Sequence, residues 1–311
     1  MASPAPAPIA FFAYRRPAHA RRALESLAAN PLAAQSDLYV FSDGPRGGDA
    51  RERADVEAVR ALLRERAWCG RVTIREAPSN LGLAASITRG VGEVLDRHDR
   101  VIVLEDDLVV SPGFLDYMND ALAAYAGEPR AMHVAGYSPP VPEALPATYF
   151  YRNTTCWGWG TWSRAWRHYR ADAAALLGEL RARGLVHRFN LDGSYPSTSQ
   201  LQDNVERVRE TWAIKWYASV LLADGLCLHP HPSLVQNIGT DDSGTHTGAT
   251  DQYRVAALAP RIDVAPRPVA EDAAAAAAIR RFNLRAQGWP AGPLRALGWR
   301  CAPSLMLRLA R

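Results

Sequence analysis

Short apolar runs alternate with stretches of helical periodicity through the first half of the chain. Ile9-Ala10-Phe11-Phe12-Ala13-Tyr14 reads as a strand, Leu38-Tyr39-Val40-Phe41 as a second and Val72-Thr73-Ile74 as a third. Between the first two, Ala20, Ala23, Leu24 and Leu27 fall at helical spacing after Pro17, a residue suited to the first turn of a helix. Val56, Val59, Leu62 and Leu63 mark a second helix, and Leu83, Ile87, Val91 and Val94 a third. Val101-Ile102-Val103-Leu104 has no polar alternation, the pattern of a strand buried on both faces of a parallel sheet. Strands and helices alternating at this spacing predict an α/β fold with right-handed crossovers: a mostly parallel central sheet with flanking helices.

The fourth strand runs straight into Glu105-Asp106-Asp107. Three carboxylates at a strand end repel one another; a bound divalent cation makes the arrangement favourable, whereas a solvated acidic turn merely tolerates it. In open α/β sheets, ligands bind just outside the carboxyl ends of the strands. Ser111-Pro112 then reads as an N-cap followed by a first-turn proline, opening a helix with Phe114, Met118, Leu122 and Tyr125 on its inner face. The second strand also exits through an acid, in Ser42-Asp43-Gly44-Pro45.

Beyond Tyr125 the pattern loosens. Met132-His133-Val134 is a further strand, followed by a proline-rich loop and an aromatic cluster: Tyr149, Tyr151, Trp157, Trp159, Trp162 and Trp166. Trp157, Trp159 and Trp212 are candidates for seating a sugar acceptor, because flat rings suit the apolar faces of sugars; core packing is the commoner use of tryptophan. Gly158 and Gly160 point to a close backbone approach, to a ligand or to another strand. The stretch from Gly239 to Gly248 has the small, polar composition of a loop that closes over a ligand, or of a plain surface loop. It carries Asp241, Asp242 and His246. Ala273 to Gln287 reads as a helix, and seven arginines but no acid follow Asp272.

Composition narrows this picture only a little. The 311 residues suffice for one large core or two closely joined ones, and 48% hydrophobic with 22% charged residues is ordinary for a folded protein. An excess of four basic residues, nearly all arginine, reads as codon bias, so no nucleic-acid partner is expected. The four cysteines show no metal-ligand spacing or disulfide framework. No apolar run approaches the ~20 residues of a membrane span, and the first residues lack a signal-peptide pattern. A cytoplasmic location is expected. Leu294, Leu297, Trp299, Leu305, Met306 and Leu309 interleave with arginines, which suggests peripheral contact with the inner membrane or packing on the domain.

These motifs in this order resemble the GT-A fold of nucleotide-sugar-dependent glycosyltransferases. The pattern is similar to the N-acetylglucosaminyltransferase I family and its bacterial, family 2-like relatives. The resemblance covers roughly residues 9–250 and rests on Ile9–Pro17, Phe41–Gly44, Val103–Leu108 with Ser111–Phe114, and Trp157–Gly160. It implies a nucleotide-sugar-binding half over 1–130, an acceptor-binding half over 131–260 and a helical, basic tail over 261–311. By resemblance Asp107 is the direct ligand of Mn²⁺ or Mg²⁺, Glu105 and Asp106 contact ribose or sugar, and Asp43 binds the uracil edge. Ala13 and Arg16 flank the nucleotide, and Ser86 replaces a histidine that the N-acetylglucosaminyl enzymes carry near it. The family's catalytic aspartate lies between two tryptophans, whereas Trp212-Ala213-Ile214-Lys215-Trp216 carries none here. A base must then come from elsewhere, with Glu210 favoured over Asp241 and Asp242; His246 serves the metal or a phosphate.

The expected activity is inverting, metal-dependent transfer of a hexosyl or N-acetylhexosaminyl group from a nucleotide sugar, a UDP-sugar by resemblance, to a cell-surface glycan, glycolipid or protein. The alternative is a degenerate member that binds nucleotide or glycan without transfer. A nucleotidyltransferase is disfavoured, because Tyr14-Arg15-Arg16-Pro17 stands where a glycine-rich phosphate loop would follow the first strand.

Overall fold

The structure is a computed structural model describing residues 5–241 and 251–287. Its first part runs β1 (Ile9–Ala13), α1 (Pro17–Ala28), β2 (Asp37–Ser42), α2 (Ala50–Arg64), β3 (Arg71–Glu76), α3 (Leu83–Leu95), β4 (Arg100–Glu105), β5 (Leu108–Val110) and α4 (Phe114–Ala124). The second part runs β6 (Ala131–Ala135), β7 (Thr148–Tyr151), β8 (Trp159–Trp162), α5 (Ser163–Trp166), α6 (Ala173–Ala182), α7 (Val186–Phe189), α8 (Ser197–Val205), α9 (Trp212–Leu222), β9 (Leu226–Pro230), β10 (Val235–Asn237) and α10 (Ala273–Ala286).

One eight-stranded sheet, in the order β3-β2-β1-β4-β8-β6-β9-β7, carries both parts. β1 pairs in parallel with β2 and β4, and β2 with β3; β8 lies antiparallel between β4 and β6, and β7 antiparallel on β9. The mostly parallel sheet expected from the apolar runs is therefore present.

Strand alternation explains the two layers. Ile9, Phe11, Ala13, Leu38, Val40, Ile102 and Leu104 point to the face covered by α1, α2 and α4. Ala10, Phe12, Tyr39, Val101 and Val103 point to the other, against Ile87, Val91 and Val94 of α3 and Trp212, Trp216 and Val220 of α9. Every strand residue of β1 is buried, as a two-sided apolar run requires. Gly160 sits between β4 and β6, where a Cβ would lie 3.2 Å from the Val101 carbonyl. The close approach signalled by the Trp-Gly-Trp-Gly motif is thus to neighbouring strands.

Local expectations fail where a distant strand intervenes. Ser111 does not cap α4: its N–H donates to Leu234 O at 2.9 Å, extending the β5–β10 ladder, and Gly113 becomes the cap. The Ser111 hydroxyl is left buried without a partner. Leu83, expected on the inner face of α3, is 39% exposed because it is that helix's first residue. The expected helix at 273–287 is α10, and it is no free tail: Ala275 and Ile279 enter the core shared by β7, α6 and α9. Residues 288–311, on which the membrane contact was expected, lie outside the described residues; among the described residues no helix is long and apolar enough to cross a membrane.

Two histidines in this sheet are built to stay neutral. His133 on β6 stacks on Trp159, centroids 5.1 Å apart, and its Nε2–H donates to Thr155 O at 3.1 Å. Its Nδ1 accepts from the Trp216 indole N–H at 3.0 Å, so a proton there would face another donor. Burial holds His133 down at about 3 and His229 at about 4. Below about pH 6.5 the unfolded chain therefore takes up protons that the fold excludes, so their contribution is present above pH 6.5 and lost as pH falls towards the folded values. Glu105, pushed up to about 8, works in the opposite direction. The isolating experiment compares wild type with His133→Gln by denaturant unfolding at pH 7 and pH 5. Wild type is expected to lose about 2 kcal/mol more than the variant over that interval. Parallel pH profiles would show that His133 charges inside the fold.

Candidate active site

From β1 the chain crosses one face through α1 to reach β2, whereas β4 is reached from β3 through α3 on the other face. β1 and β4 are nonetheless neighbours. Their carboxyl ends thus flank a topological switch point, where the departing loops split apart and leave a crevice for ligand. Tyr14-Arg15-Arg16 leaves β1 there, and Asp106-Asp107 leaves β4.

Arg16 lies between the two aspartates. Its Nη2 donates to Asp106 Oδ1 and, at 3.0 Å, to Asp107 Oδ2. Asp106 Oδ2 accepts from the Tyr14 N–H at 3.1 Å, so both of its oxygens are used inside the fold. Burial alone would lower the Arg16 guanidinium, but the two carboxylates outweigh it and hold it charged. Arg16 offsets the repulsion on Glu105 only in part. Burial first, then Asp107 and Asp106, push its carboxyl up to about 8, so at neutral pH it carries the proton that relieves the cluster.

A second segment lies across this group. β10 pairs antiparallel with β5, and Ile238 N–H donates to Asp107 O at 2.8 Å. Gly239 has no room for a side chain: a Cβ would collide with the Asp107 carboxylate and lie 2.8 Å from Arg16 Nη1. Asp241 follows, its Oδ2 3.1 Å from Nε2 of His19 on α1. The outer rim is basic. Arg15 and Arg46 lie 5.6 and 5.9 Å from the Tyr14 ring centroid, and the Tyr14 hydroxyl donates to buried Glu52 at 2.5 Å.

Behind the crevice lies a cavity of about 380 Å³, lined by residues of the 137–157 segment, α8, α9, Tyr253 and α10. Trp157 stands in its wall with Tyr137 at 4.6 Å and Tyr253 at 5.7 Å between ring centroids, both edge to face. Cys156, which also lines it, is close enough to Glu105 for that carboxyl to add to the burial that pushes the thiol well up.

Several sequence expectations need correction against this geometry. Asp43 does not face a nucleobase with open acceptor positions: Oδ1 accepts from Gly44 N and Leu81 N, both at 2.8 Å, and Oδ2 from Asn80 Nδ2 at 3.0 Å and Gly82 N at 3.1 Å. A carboxylate has about four lone-pair positions; Gly44 fills one and the loop preceding α3 the other three. Asp106 is likewise engaged with Arg16 and Tyr14 rather than open to a ribose. Trp159 and Trp212 are core residues stacked at 5.2 Å, with no face free for an acceptor. Glu210 is 78% exposed, 3.5 Å from Lys215, on a separate cleft that also includes Asp172, Asn204 and Arg207. It is not brought to the crevice.

Ala13 ends β1 and is buried; its carbonyl accepts from Asp43 N at 2.9 Å. Ser86 stands on α3 with its hydroxyl buried and unpartnered. Asp242 and His246 lie outside the described residues. Sequence reasoning missed His19, Tyr137, Tyr217 and Tyr253, whose roles depend on contacts from far along the chain; Tyr14 was the one signal available, inside a motif already singled out.

Metal chemistry was expected at the acids. Among the described residues no group of three His, Cys, Asp or Glu side chains converges to hold an ion. Each oxygen of Asp106 already accepts one hydrogen bond, from Arg16 or from Tyr14, and its carboxylate is more buried than that of Asp107. Asp107, its side chain 14% exposed at the crevice, suits a Mg²⁺ or Mn²⁺ that takes one or two carboxylates and completes its shell with substrate phosphates and water.

No protein-family model matches the chain, and no curated protein matches it in sequence. Among solved structures it resembles mouse xyloside xylosyltransferase 1 (15% identity, TM-score 0.39, covering 69% of this chain and 81% of that one). It also resembles the galactosyltransferase LgtC, solved with donor and acceptor sugar analogues (14% identity, TM-score 0.35, 68% and 69%). A third is S. aureus TarS, of which it spans 23%, with 45% of this chain aligned at 14% identity and a TM-score of 0.30. These neighbours are glycosyltransferases, and the superpositions are loose.

Proposed function

We propose that this chain is a glycosyltransferase of the GT-A type, moving a sugar from a nucleoside-diphosphate donor to a glycan, glycolipid or protein acceptor. The observation that carries the reading is the Arg16–Asp106–Asp107 group at the switch-point crevice. Arg16 is held charged and oriented by Asp106, ready to meet a diphosphate, with Arg15 and Arg46 adding positive potential at the rim. Asp107 would hold a divalent cation, which supplies charge stabilisation for the departing diphosphate. Asp241, placed beside His19 and two residues from Gly239, is the base that takes the acceptor hydroxyl's proton in an inverting transfer.

Because Asp43 is committed to its own loop, the nucleobase is left for experiment to decide. Incubation with UDP-, GDP- and dTDP-sugars plus Mn²⁺, with and without glycan acceptors, should release nucleoside diphosphate from one donor class. Absence of release from every donor, with or without acceptor, would overturn the reading. A second reading, a binding protein that does not transfer, draws support from the absence of any carboxylate in the cavity lining among the described residues and from Lys215 between Trp212 and Trp216. Tight nucleotide-sugar binding without release would favour it.

A further inference from the structure

The aromatic cavity has an uncharged lining. No Asp, Glu, Lys or Arg contributes to it among the described residues, although 22% of the chain is charged. The nearest strong charges are closed on themselves: Arg152 forms a fork with Glu271 at 2.7 and 2.6 Å and reaches Asp192 at 2.8 Å. His229, the one histidine in the wall, is held neutral by burial. An anionic ligand would lose its hydration here and gain no countercharge, a cost that buried charges rarely recover.

The wall is not simply apolar either. Asn153, Thr154, Gln200 and Asn283 contribute amide and hydroxyl groups between aromatic rings. The hydroxyls of Thr154 and Tyr217 are buried and have no hydrogen-bond partner, whereas buried polar groups in folded proteins are nearly always paired. A hydrocarbon occupant would leave them unpaired permanently. An occupant with hydroxyls of its own, and apolar faces to lie on Trp157, satisfies both features. At about 380 Å³ the space lies near the lower end of small-ligand pockets, which run from roughly 300 to 1,000 Å³.

We propose that this cavity binds one uncharged, hydroxyl-rich sugar unit and excludes sugars bearing a carboxylate or phosphate, with Tyr217 as a residue that reads its hydroxyls. Calling that sugar the acceptor rests on the transfer reading above; the binding itself does not. Trp157, braced by Tyr137 and Tyr253, supplies the stacking face, and the Tyr137 hydroxyl donates to Tyr253 O at 2.9 Å to fix that brace.

The test uses the full chain and needs no turnover. Saturation-transfer NMR is run with neutral methyl glycosides of hexoses and N-acetylhexosamines and with methyl glucuronide, while nucleoside diphosphates are titrated separately by calorimetry. At least one neutral glycoside is expected to bind and the glucuronide to fail. Tyr217→Phe should weaken that binding roughly 2- to 10-fold, the worth of one neutral hydrogen bond. The same variant should keep or raise the ligand-free Tm, since it removes an unpaired buried hydroxyl; a merely structural hydroxyl would lower it. Binding of the glucuronide as strong as that of its neutral counterpart, no binding by any neutral glycoside, or unchanged affinity in Tyr217→Phe overturns the proposal. Sugar binding without nucleotide binding would instead retain the cavity assignment and remove the transfer reading.

Discussion

Replacing Asp107 by alanine is expected to reduce metal-dependent turnover roughly 10²–10³-fold, the scale on which loss of one electrostatic stabiliser of a developing charge is felt. The fold should survive. Arg16 keeps Asp106 as its partner, and Ile238 still donates to the Asp107 backbone carbonyl, which the substitution leaves in place. Donor affinity in Mn²⁺ should fall with turnover, because the cation then loses the carboxylate proposed to join it to the diphosphate. The measurements are nucleoside-diphosphate release, calorimetric donor titration with and without Mn²⁺, and Tm. Normal Mn²⁺-dependent release by Asp107→Ala would remove this residue from the site.

The second large effect concerns the base. Asp241→Asn should lower kcat by roughly 10²–10⁴-fold while sparing donor affinity, and Glu210→Gln should leave both near normal. Sequence proximity to Trp212 favoured Glu210, but its carboxylate faces Lys215 and solvent on a different cleft. Asp241 follows a glycine pressed against Asp107 and Arg16. The two variants are compared with the best donor and acceptor, with Kd for the nucleotide measured beside kcat. A Glu210→Gln variant that loses turnover while Asp241→Asn keeps it would move the base to the other cleft.

Much of the sheet was legible because its determinants are local. Val101–Leu104 announces a two-sided strand without reference to any other residue, and Ala20, Ala23, Leu24 and Leu27 turn out to be the buried stripe of α1. The acidic strand end and Arg16 were legible for the same reason. Their pairing was not, since it joins residues about 90 positions apart across the switch point. The setting of Asp43 was not legible because three of the four donors to its carboxylate come from residues 80–82, nearly forty positions on, and nothing near Asp43 in sequence marks them. Trp159 and Trp212 were misread because tryptophan composition does not say which ring faces ligand and which faces another ring. The cavity was invisible in advance: its wall gathers residues from Tyr137 to Asn283 that share no motif.

The order in which these walls appear along the chain bears on biosynthesis. Arg16, Asp106 and Asp107 have all been synthesised by residue 107, within strands and helices whose contacts are largely with one another. Ile279, Phe282 and Asn283 arrive with α10, which is tied to β7 through the Arg152–Glu271 fork and the Phe150–Glu271 bridge. A chain emerging from the ribosome amino end first thus has Arg16, Asp106 and Asp107 in place early, receives β10 and Gly239 across them later, and closes the cavity only once α10 has emerged. On the transfer reading proposed above, competence would therefore wait for the docking of a single late helix.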